Sequence, residues 1–448
     1  MKKAKRVAIL GAGISGLAAA WKLRQLGAEV TVYDPSPEPG GVIRTLRHEG
    51  YLLELGPNTV LEKGGALAEL IEGCGLRGEV LSPLPQARKR FIYHGGGPVA
   101  APSGPLSFLT SPLLGVPGKV RLLSEPFREP GTAGDESVAA FFSRRLGVEA
   151  VERLIDPFIS GIYAGDPVRL SARFGFPKLW AWEREQGSLL KGALRGRKAP
   201  GPRVRARMLS FRQGLSALPA RLAAELASSW RREAANGIAS SGPGWRVNGE
   251  GPHDALVSTL PPRSLVPLLR EGFPGEAPRA LESYPHSSVR VWHFGVERRR
   301  VRHPLDGFGV LAPSAEEQPI LGILFSSSIF AGRAPEGRVL LTVFQGGVRH
   351  PEWCLPDAGS EPSAQAAAWG AVCRWLGIDG GPDMVHHHLW NPAIPQYEVG
   401  HQTRLDALDR LEAAHPGLFL GGNLRGGVSV SDCVASSFQL AERVMAAS

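Results

Sequence analysis

An α/β fold built on a parallel sheet, interrupted by other modules, is predicted by three features of this sequence. Near the N-terminus, Val7-Ala8-Ile9-Leu10 runs directly into Gly11-Ala12-Gly13-Ile14-Ser15-Gly16, and an acid, Asp34, ends the next apolar strand. Near the C-terminus, Leu418-Phe419-Leu420 runs into Gly421-Gly422-Asn423, followed by Val428-Ser429-Val430 and a helical pattern over 435–447. Between them, segments 288–296, 307–311, 320–325 and 339–344 alternate as antiparallel strands do, which suits a separate domain.

The first unit is Rossmann-like. Gly11 allows the tight turn, Gly13 lets the backbone approach a pyrophosphate, and Gly16 lets the helix over 17–26 pack on the strand. Ile14 and Ser15 then open a helix whose N-terminus faces phosphates, and Asp34, ending the strand over 29–33, takes ribose hydroxyls. A glycine triplet alone is a weak signal. Here the strand, helix, second strand and acid all fall at the required spacing. Gly40-Gly41 and then Ile43-Arg44-Thr45 form an extension that a nicotinamide unit does not need. In flavoproteins of the glutathione-reductase type, such a glycine pair lets the chain pass close to FAD while an arginine meets its phosphates. The C-terminal strand, glycines and helix match the element that closes over the flavin in that class.

At 448 residues, two or three domains are expected. Cys74, Cys354, Cys373 and Cys433 lie far apart, which argues against a metal cluster, a redox disulfide or a secreted scaffold. The N-terminal Met1-Lys2-Lys3-Ala4-Lys5-Arg6 leaves no space for a signal core, so a cytoplasmic location is expected. A net charge of +9 suggests an acidic partner. Lys191, Arg195, Arg197, Lys198, Arg203, Arg205 and Arg207 fall in a segment without an acid and without a nucleic-acid module around it, which favours a solvated loop or an anionic membrane surface. Residues 91–118 are uncharged and apolar, but Gly95-Gly96-Gly97 and five prolines forbid a spanning helix. The segment reads as an apolar loop that either dips into one leaflet or covers the core. Helices are expected over 135–170, and the buried strand at 254–260 returns the chain to its first sheet.

Taken with these elements, several further pieces make the chain resemble the protoporphyrinogen oxidase family of FAD enzymes along its whole length. They are Lys89-Arg90-Phe91-Ile92-Tyr93, Ser160-Gly161-Ile162-Tyr163-Ala164-Gly165-Asp166 with Phe176-Pro177, and Ser210-Phe211-Arg212-Gln213-Gly214-Leu215. Later come Gly307-Phe308-Gly309-Val310-Leu311, Leu321-Gly322-Ile323 with Ser328-Ile329-Phe330, and Trp390-Asn391-Pro392-Ala393-Ile394-Pro395-Gln396-Tyr397 with Gly400-His401. The resemblance implies a Rossmann-like FAD-binding domain of glutathione-reductase/amine-oxidase type, in pieces 1–85, 208–272 and 400–448. It further implies a mostly helical membrane-associated domain over 86–207 and an α+β substrate domain over 273–399.

Carried onto this chain, the resemblance implies noncovalent FAD held by Gly11, Gly13, Ile14, Ser15, Gly16, Asp34, Gly40, Gly41 and Arg44. Gly56, Pro57, Asn58 and Thr59 join them, with Ala235, Trp390, Gly422, Asn423, Val428, Ser429 and Val430. Arg90 is implied to hold a propionate, since a guanidinium grips a carboxylate through two parallel hydrogen bonds. Phe158 and Gly161 are implied to line one side of the macrocycle, Val289 and Val291 the other, and Asn58 a polar, catalytic role toward the substrate. Two departures stand out: Asp34 where glutamate is usual, and Ser429 where glycine is more usual at the flavin edge.

The implied reaction removes six electrons and six hydrogens from a porphyrinogen in three turnovers, with O2 as acceptor and hydrogen peroxide as product. Protoporphyrinogen IX is the expected substrate. Coproporphyrinogen III, another amine-oxidase-like activity and a non-catalytic porphyrin-binding scaffold remain alternatives. Peripheral contact with an anionic membrane at the inner face of the cell membrane is expected, with no nucleic-acid partner. The oligomeric state, a homodimer included, stays open. No metal is expected at His386-His387-His388, because neighbouring side chains on a strand alternate faces.

Overall fold

The computed structural model describes residues 4–131, 134–198, 206–242, 244–273, 275–355 and 360–447. Its first sheet is parallel, in the order Trp230–Arg231, Glu29–Tyr33, Arg6–Leu10, Ala255–Ser258, Leu418–Leu420. These strands come from distant parts of the chain, and the central one is buried on both faces along Val7 to Leu10. Burial on both faces is why that strand reads as a continuous apolar run. Helices Ile14–Gln25 and Val430–Ala446 cover one face, with Trp21 stacked on Phe438 at 5.8 Å. Small residues at Gly16, Ala18, Ala19 and Ala20 let the first of these helices lie close to the sheet. The other face packs on helix Pro262–Gly272 and a small antiparallel sheet over 238–253.

The second sheet runs Met384–Trp390, Val289–Glu297, Arg338–Gly346, Gly322–Leu324, Gly307–Leu311, Lys89–His94, Gly97–Ala100. All its pairings are antiparallel except that of Gly307–Leu311 with Lys89–His94. Alternation along Val289–Glu297 sends Trp292, Phe294 and Val296 into a core under helix Ser360–Leu376. Val289 and Val291 point to the opposite face, into a separate apolar cluster.

Residues 89–100, which sequence reading placed partly in the apolar segment 91–118 and wholly in the 86–207 module, are the edge hairpin of this sheet, Lys89–His94 with Gly97–Ala100, entered by the short turn Pro85–Arg88. Gly95 (φ +61°) and Gly96 (φ +93°) form the two-residue turn between His94 and Gly97. Positive φ at both turn positions is what a tight hairpin needs, so the glycines there close a hairpin and break nothing.

Helices Pro105–Thr110, Val116–Leu123, Val138–Leu146, Asp156–Tyr163, Pro177–Gln186 and Leu189–Lys198 follow. Most of them gather around Val138, Phe141, Phe142, Ile159 and Trp180. Glu125, fully buried and paired with Arg145, accepts from Ser188 Oγ and from the main-chain N–H groups of Leu189 and Leu190. Through these bonds it ties the turn Glu125–Phe127 to the start of helix Leu189–Lys198. Among the described residues, no helix is long and apolar enough to cross a membrane.

Candidate active site

The carboxyl ends of Arg6–Leu10, Ala255–Ser258 and Leu418–Leu420 meet in one crevice, the place where ligands bind in open parallel sheets. Gly11 (φ +101°) makes the turn there. A Cβ on Gly16 would stand 1.8 Å from the Gly11 carbonyl oxygen, so the helix can approach only with glycine at that position. By contrast, a Cβ on Gly13 would meet nothing within 4 Å: beside it lies open space, the room a pyrophosphate needs. Gly40 donates to Ala12 O at 2.8 Å and bridges to Gly13, which brings the second glycine pair alongside the first. Arg44 donates to Gly41 O at 3.2 Å at the edge of the same crevice.

Asp34 accepts from Ala12 N at 2.7 Å and from Ser36 N at 2.8 Å. One bond to each oxygen leaves acceptor capacity for ribose hydroxyls, so the shorter acid is pinned at the turn and fits the role. Ala235 lies between Trp230–Arg231 and Ile238–Ser241, packed on the cluster that contains Leu10 and Tyr33. Thr259, which the sequence reading did not name, touches the positions of Gly11, Gly16 and Gly422. Its only sequence signal is that it follows the returning strand.

Further along the crevice, Gly56, Pro57, Asn58 and Thr59 form a half-exposed loop after the strand Tyr51–Glu54. Asn58 Nδ2 donates to Gly56 O at 3.0 Å, and the Trp390 indole N–H donates to Leu55 O at 2.6 Å. The loop from Gly422 and Asn423 to Val428 leads into helix Val430–Ala446. Ser429 has ordinary extended backbone (φ −75°, ψ 150°), and its hydroxyl accepts from Asp432 N. The serine is therefore compatible with this edge, and the positive φ angles fall on Gly422 and Gly427 instead. The Tyr397 hydroxyl holds this loop by donating to Asn423 O and accepting from Gly427 N. His401 stacks on Tyr397, and burial, with the charge of Arg404, lowers its pKa to about 4.

On the substrate side, Phe158, Gly161 and Ile162 share one exposed face of helix Asp156–Tyr163. A Cβ on Gly161 would meet Leu311 Cδ2 at 2.7 Å, so this face and the strand Gly307–Leu311 are in close contact. Leu311 is in register with Ile92, two residues beyond Arg90 on the neighbouring strand. Arg90 itself is exposed, with its guanidinium 5.1 Å from the Phe308 ring centroid, while its neighbour Lys89 is tied to Asp306.

Val289 and Val291 are buried in one apolar cluster with Ala164 and Leu321, and Phe344 lies beside Val291 as its partner on the neighbouring strand. The half-exposed members of that cluster are Phe344, Trp390, Ala393 and Ile394. The open part of that face belongs to Trp390, Ala393 and Ile394, all within a segment that sequence reading singled out, and to Phe344, which it passed over. Nothing in the spacing separates a wall from the layer beneath it. At His386-His387-His388 the side chains alternate: His386 lies near His48 and His293, and His387 packs on Trp292.

A family model described as flavin containing amine oxidoreductase matches residues 14–445. The chain belongs to that family. Within it, the chain is 36% identical to the mitochondrial protoporphyrinogen oxidase of Nicotiana tabacum, covering 99% of this chain and 95% of the relative. It is 34% identical to protoporphyrinogen oxidase 2, chloroplastic/mitochondrial, of Arabidopsis thaliana, covering 98% and 94%. Identity to the Bos taurus protoporphyrinogen oxidase is 34%, covering 98% of each. Among solved structures, a protein of Exiguobacterium sp. 255-15 provisionally named a protoporphyrinogen oxidase superposes with TM-score 0.81 at 25% identity, covering 99% of each chain. UDP-galactopyranose mutase superposes with TM-score 0.74 at 18% identity, covering 98% and 95%, and shares the fold alone. This flavin containing amine oxidoreductase is an FAD-dependent enzyme of the protoporphyrinogen oxidase branch, and the glycine cradle above fits its cofactor.

Proposed function

We propose that this chain oxidises protoporphyrinogen IX to protoporphyrin IX, with O2 as acceptor and hydrogen peroxide as product. The observation that carries the reading is likeness to protoporphyrinogen oxidases over nearly the whole chain, at 32–36% identity for the plant relatives. Held by the glycine cradle and Asp34, FAD would supply the hydride-accepting chemistry of the reaction. The chain's own residues supply the rest. Gly11, Gly13 and Gly16 bring main-chain N–H groups to the pyrophosphate, and Asp34 takes the ribose. Gly56-Pro57-Asn58-Thr59 and the 422–430 segment flank the ring without a covalent bond. Phe158, Gly161 and Leu311 form one wall for the macrocycle, and Phe344, beside Val291 on the neighbouring strand, forms the other. Arg90 holds a propionate at the rim.

Anaerobic mixing with protoporphyrinogen IX and coproporphyrinogen III side by side tests the substrate. Bleaching of the flavin by the first, and much slower bleaching by the second, is expected. Bleaching by neither refutes the reading, and preference for the second replaces the substrate.

Peripheral membrane contact belongs to the same reading, and the surface that supports it takes in the 105–118 part of the expected apolar segment and runs on to 128. The residues involved are on helices Pro105–Thr110 and Val116–Leu123 and the turn after them, where Leu106 is 76% and Phe127 88% exposed. Over 105–128 the sole acid is Glu125, which is buried against Arg145, while Lys119, Arg121 and Arg128 are cationic. Of the basic stretch expected at 191–207, residues 199–205 lie outside the described residues. Anionic vesicles should bind the protein more tightly than neutral ones, and salt should weaken the binding, since the Debye length is about 8 Å at physiological ionic strength. Equal binding to both vesicle types removes the argument.

A further inference from the structure

The Ser210-Phe211-Arg212-Gln213-Gly214-Leu215 motif stands out in the sequence, yet none of its residues enters the cofactor cradle or the substrate walls. The structure docks it against Glu54, immediately before the Gly56-Pro57-Asn58-Thr59 loop. Glu54 is 4% exposed, and its carboxylate accepts from Leu215 N at 2.9 Å and from the Thr45 hydroxyl at 2.7 Å. Thr45 and Ser216 exchange two further bonds, Thr45 N to Ser216 Oγ at 2.7 Å and Ser216 N to Thr45 Oγ1 at 3.0 Å. Glycine is required at 214, where φ is +88° and a Cβ would stand 2.2 Å from Thr45 Cγ2. Buried Arg333 reaches within 3.7 Å of the Glu54 carboxylate while donating to Ser210 Oγ and Phe211 O.

The main chain that follows is held just as closely. Glu54 O bonds His293 Nε2 at 3.1 Å, Leu55 N donates to Arg44 O at 2.9 Å, and Leu55 O accepts from Trp390. A Cβ on Gly56 would stand 1.9 Å from Val42 O. The chain entering the loop is therefore gripped by residues from several distant segments, and Glu54 is where the grips converge.

We propose that Glu54 is a positioning residue for the oxidation: with Thr45, Arg333 and the 210–215 motif, it fixes the register in which Asn58 and Gly56 meet the flavin. The proposal rests on the placement of the ring at that loop given above. A carboxylate suits the post because it accepts from two donors at once. In Glu54→Gln, one oxygen becomes an NH2 group facing the Thr45 hydroxyl. Thr45 Oγ1 already accepts from Ser216 N, so its own hydrogen loses its partner. The loop slackens without any change of volume.

The test compares holoenzymes carrying Glu54→Gln, Thr45→Val or Asn58→Ala with wild type. It is run at pH 8, because burial pushes the Glu54 pKa up to about 7 and the carboxylate must be ionised. Visible absorption and circular dichroism of the bound flavin are recorded, with kcat and KM for protoporphyrinogen IX and the melting temperature. Glu54→Gln and Thr45→Val should shift the flavin bands and lower kcat about tenfold or more at unchanged KM, since small misplacements of reacting groups cost that much. A lower melting temperature with wild-type flavin bands and kcat overturns the proposal and leaves Glu54 a packing residue. If Glu54→Gln does not fold, Thr45→Val carries the same two outcomes. Asn58→Ala separates the premises: wild-type bands and kcat in that variant take the ring away from this loop altogether. Altered Asn58→Ala beside unaltered Glu54→Gln and Thr45→Val removes only the role of Glu54.

Discussion

At the proposed cofactor end of the site, the groups that meet the opening are mostly main chain, supplied by Gly11, Gly13 and Gly422 after the ends of parallel strands and by Gly40, which pairs with Ala12 and Gly13. The proposed substrate end is made of side chains, Phe158, Leu311, Phe344 and Arg90, carried by a helix and by separate strands of another sheet. Main-chain geometry demands one residue type at fixed spacing, because only glycine leaves the room or adopts the dihedral. A side-chain wall demands only an apolar surface of the right shape, which many residues supply. The two ends should therefore fail differently when changed.

The largest effect is expected at the cofactor end. In Gly16→Ala, the new methyl falls within 1.8 Å of Gly11 O and 2.9 Å of Thr259 Oγ1, and neither the turn nor the returning strand can yield without moving the crevice. Overpacking of this kind costs about 1–3 kcal/mol of stability. FAD affinity should fall about a hundredfold, equivalent to nearly 3 kcal/mol. Absorbance near the flavin band after desalting reads this directly, and a variant that stays fully yellow breaks the comparison at its stronger end.

One side-chain support does exist at the cofactor end, and its signature is pH dependence. His401 lies under Tyr397, whose hydroxyl holds the 423–427 loop. Burial keeps the ring neutral, with its pKa lowered to about 4, whereas the unfolded chain takes up a proton below the ordinary value of 6.5. Its contribution is therefore fully present above pH 6.5 and is lost as the pH falls toward 4. Across that window the loss approaches about 3 kcal/mol. Urea midpoints of wild type should fall with acid more steeply than those of His401→Phe. Parallel curves would show that His401 does not titrate in this way.

At the substrate end, Arg90→Ala should leave FAD bound and raise KM for protoporphyrinogen IX. Losing one charge-assisted contact costs about 1.5–3 kcal/mol, which corresponds to about ten- to a hundredfold. The contact is remote from the reacting carbon, so kcat should change less. Arg90→Lys should recover part of the loss, because the ammonium keeps the charge and not the fork. An unchanged KM in Arg90→Ala moves the propionate elsewhere.

The same contrast explains what the sequence made legible. The N-terminal unit and the closing strand at 418–420 were readable because glycines at strand ends have few other reasons to recur at that spacing, and the return at 255–258 because it is a short, largely apolar run ended by Pro261-Pro262. The hairpin over 89–100 was not. Its Gly95-Gly96-Gly97 run breaks a helix and closes a hairpin equally well, and its partner strand, Gly307–Leu311, lies some two hundred residues later in the chain. Val289 and Val291 carry the right apolar character for a wall, but only the packed structure shows that they are buried while Phe344, on the neighbouring strand, is half-exposed. The 210–215 motif was visible as a pattern without a purpose, because Glu54 and Arg333, the groups it serves, are distant in sequence.

The smallest effect sharpens the comparison most, since it concerns a side chain at the main-chain end. Ser429 stands where glycine is more usual, and if the residue type there shaped the flavin edge, Ser429→Gly would change catalysis. The backbone at Ser429 is already extended, so glycine has no forbidden dihedral to relieve. What the serine adds is an N-cap: its hydroxyl accepts from Asp432 N at 3.1 Å and bonds the Asp432 carboxylate at 2.5 Å. Replacing a serine cap with glycine costs only a few tenths of a kcal/mol, whereas alanine costs about 1 kcal/mol. Ser429→Gly should therefore leave flavin bands, kcat and KM at wild-type values, and Ser429→Ala should lower the melting temperature more than Ser429→Gly does. A marked change of kcat in Ser429→Gly would give this side chain a direct part at the flavin edge, and the line between a main-chain end and a side-chain end of the site would have to be redrawn there.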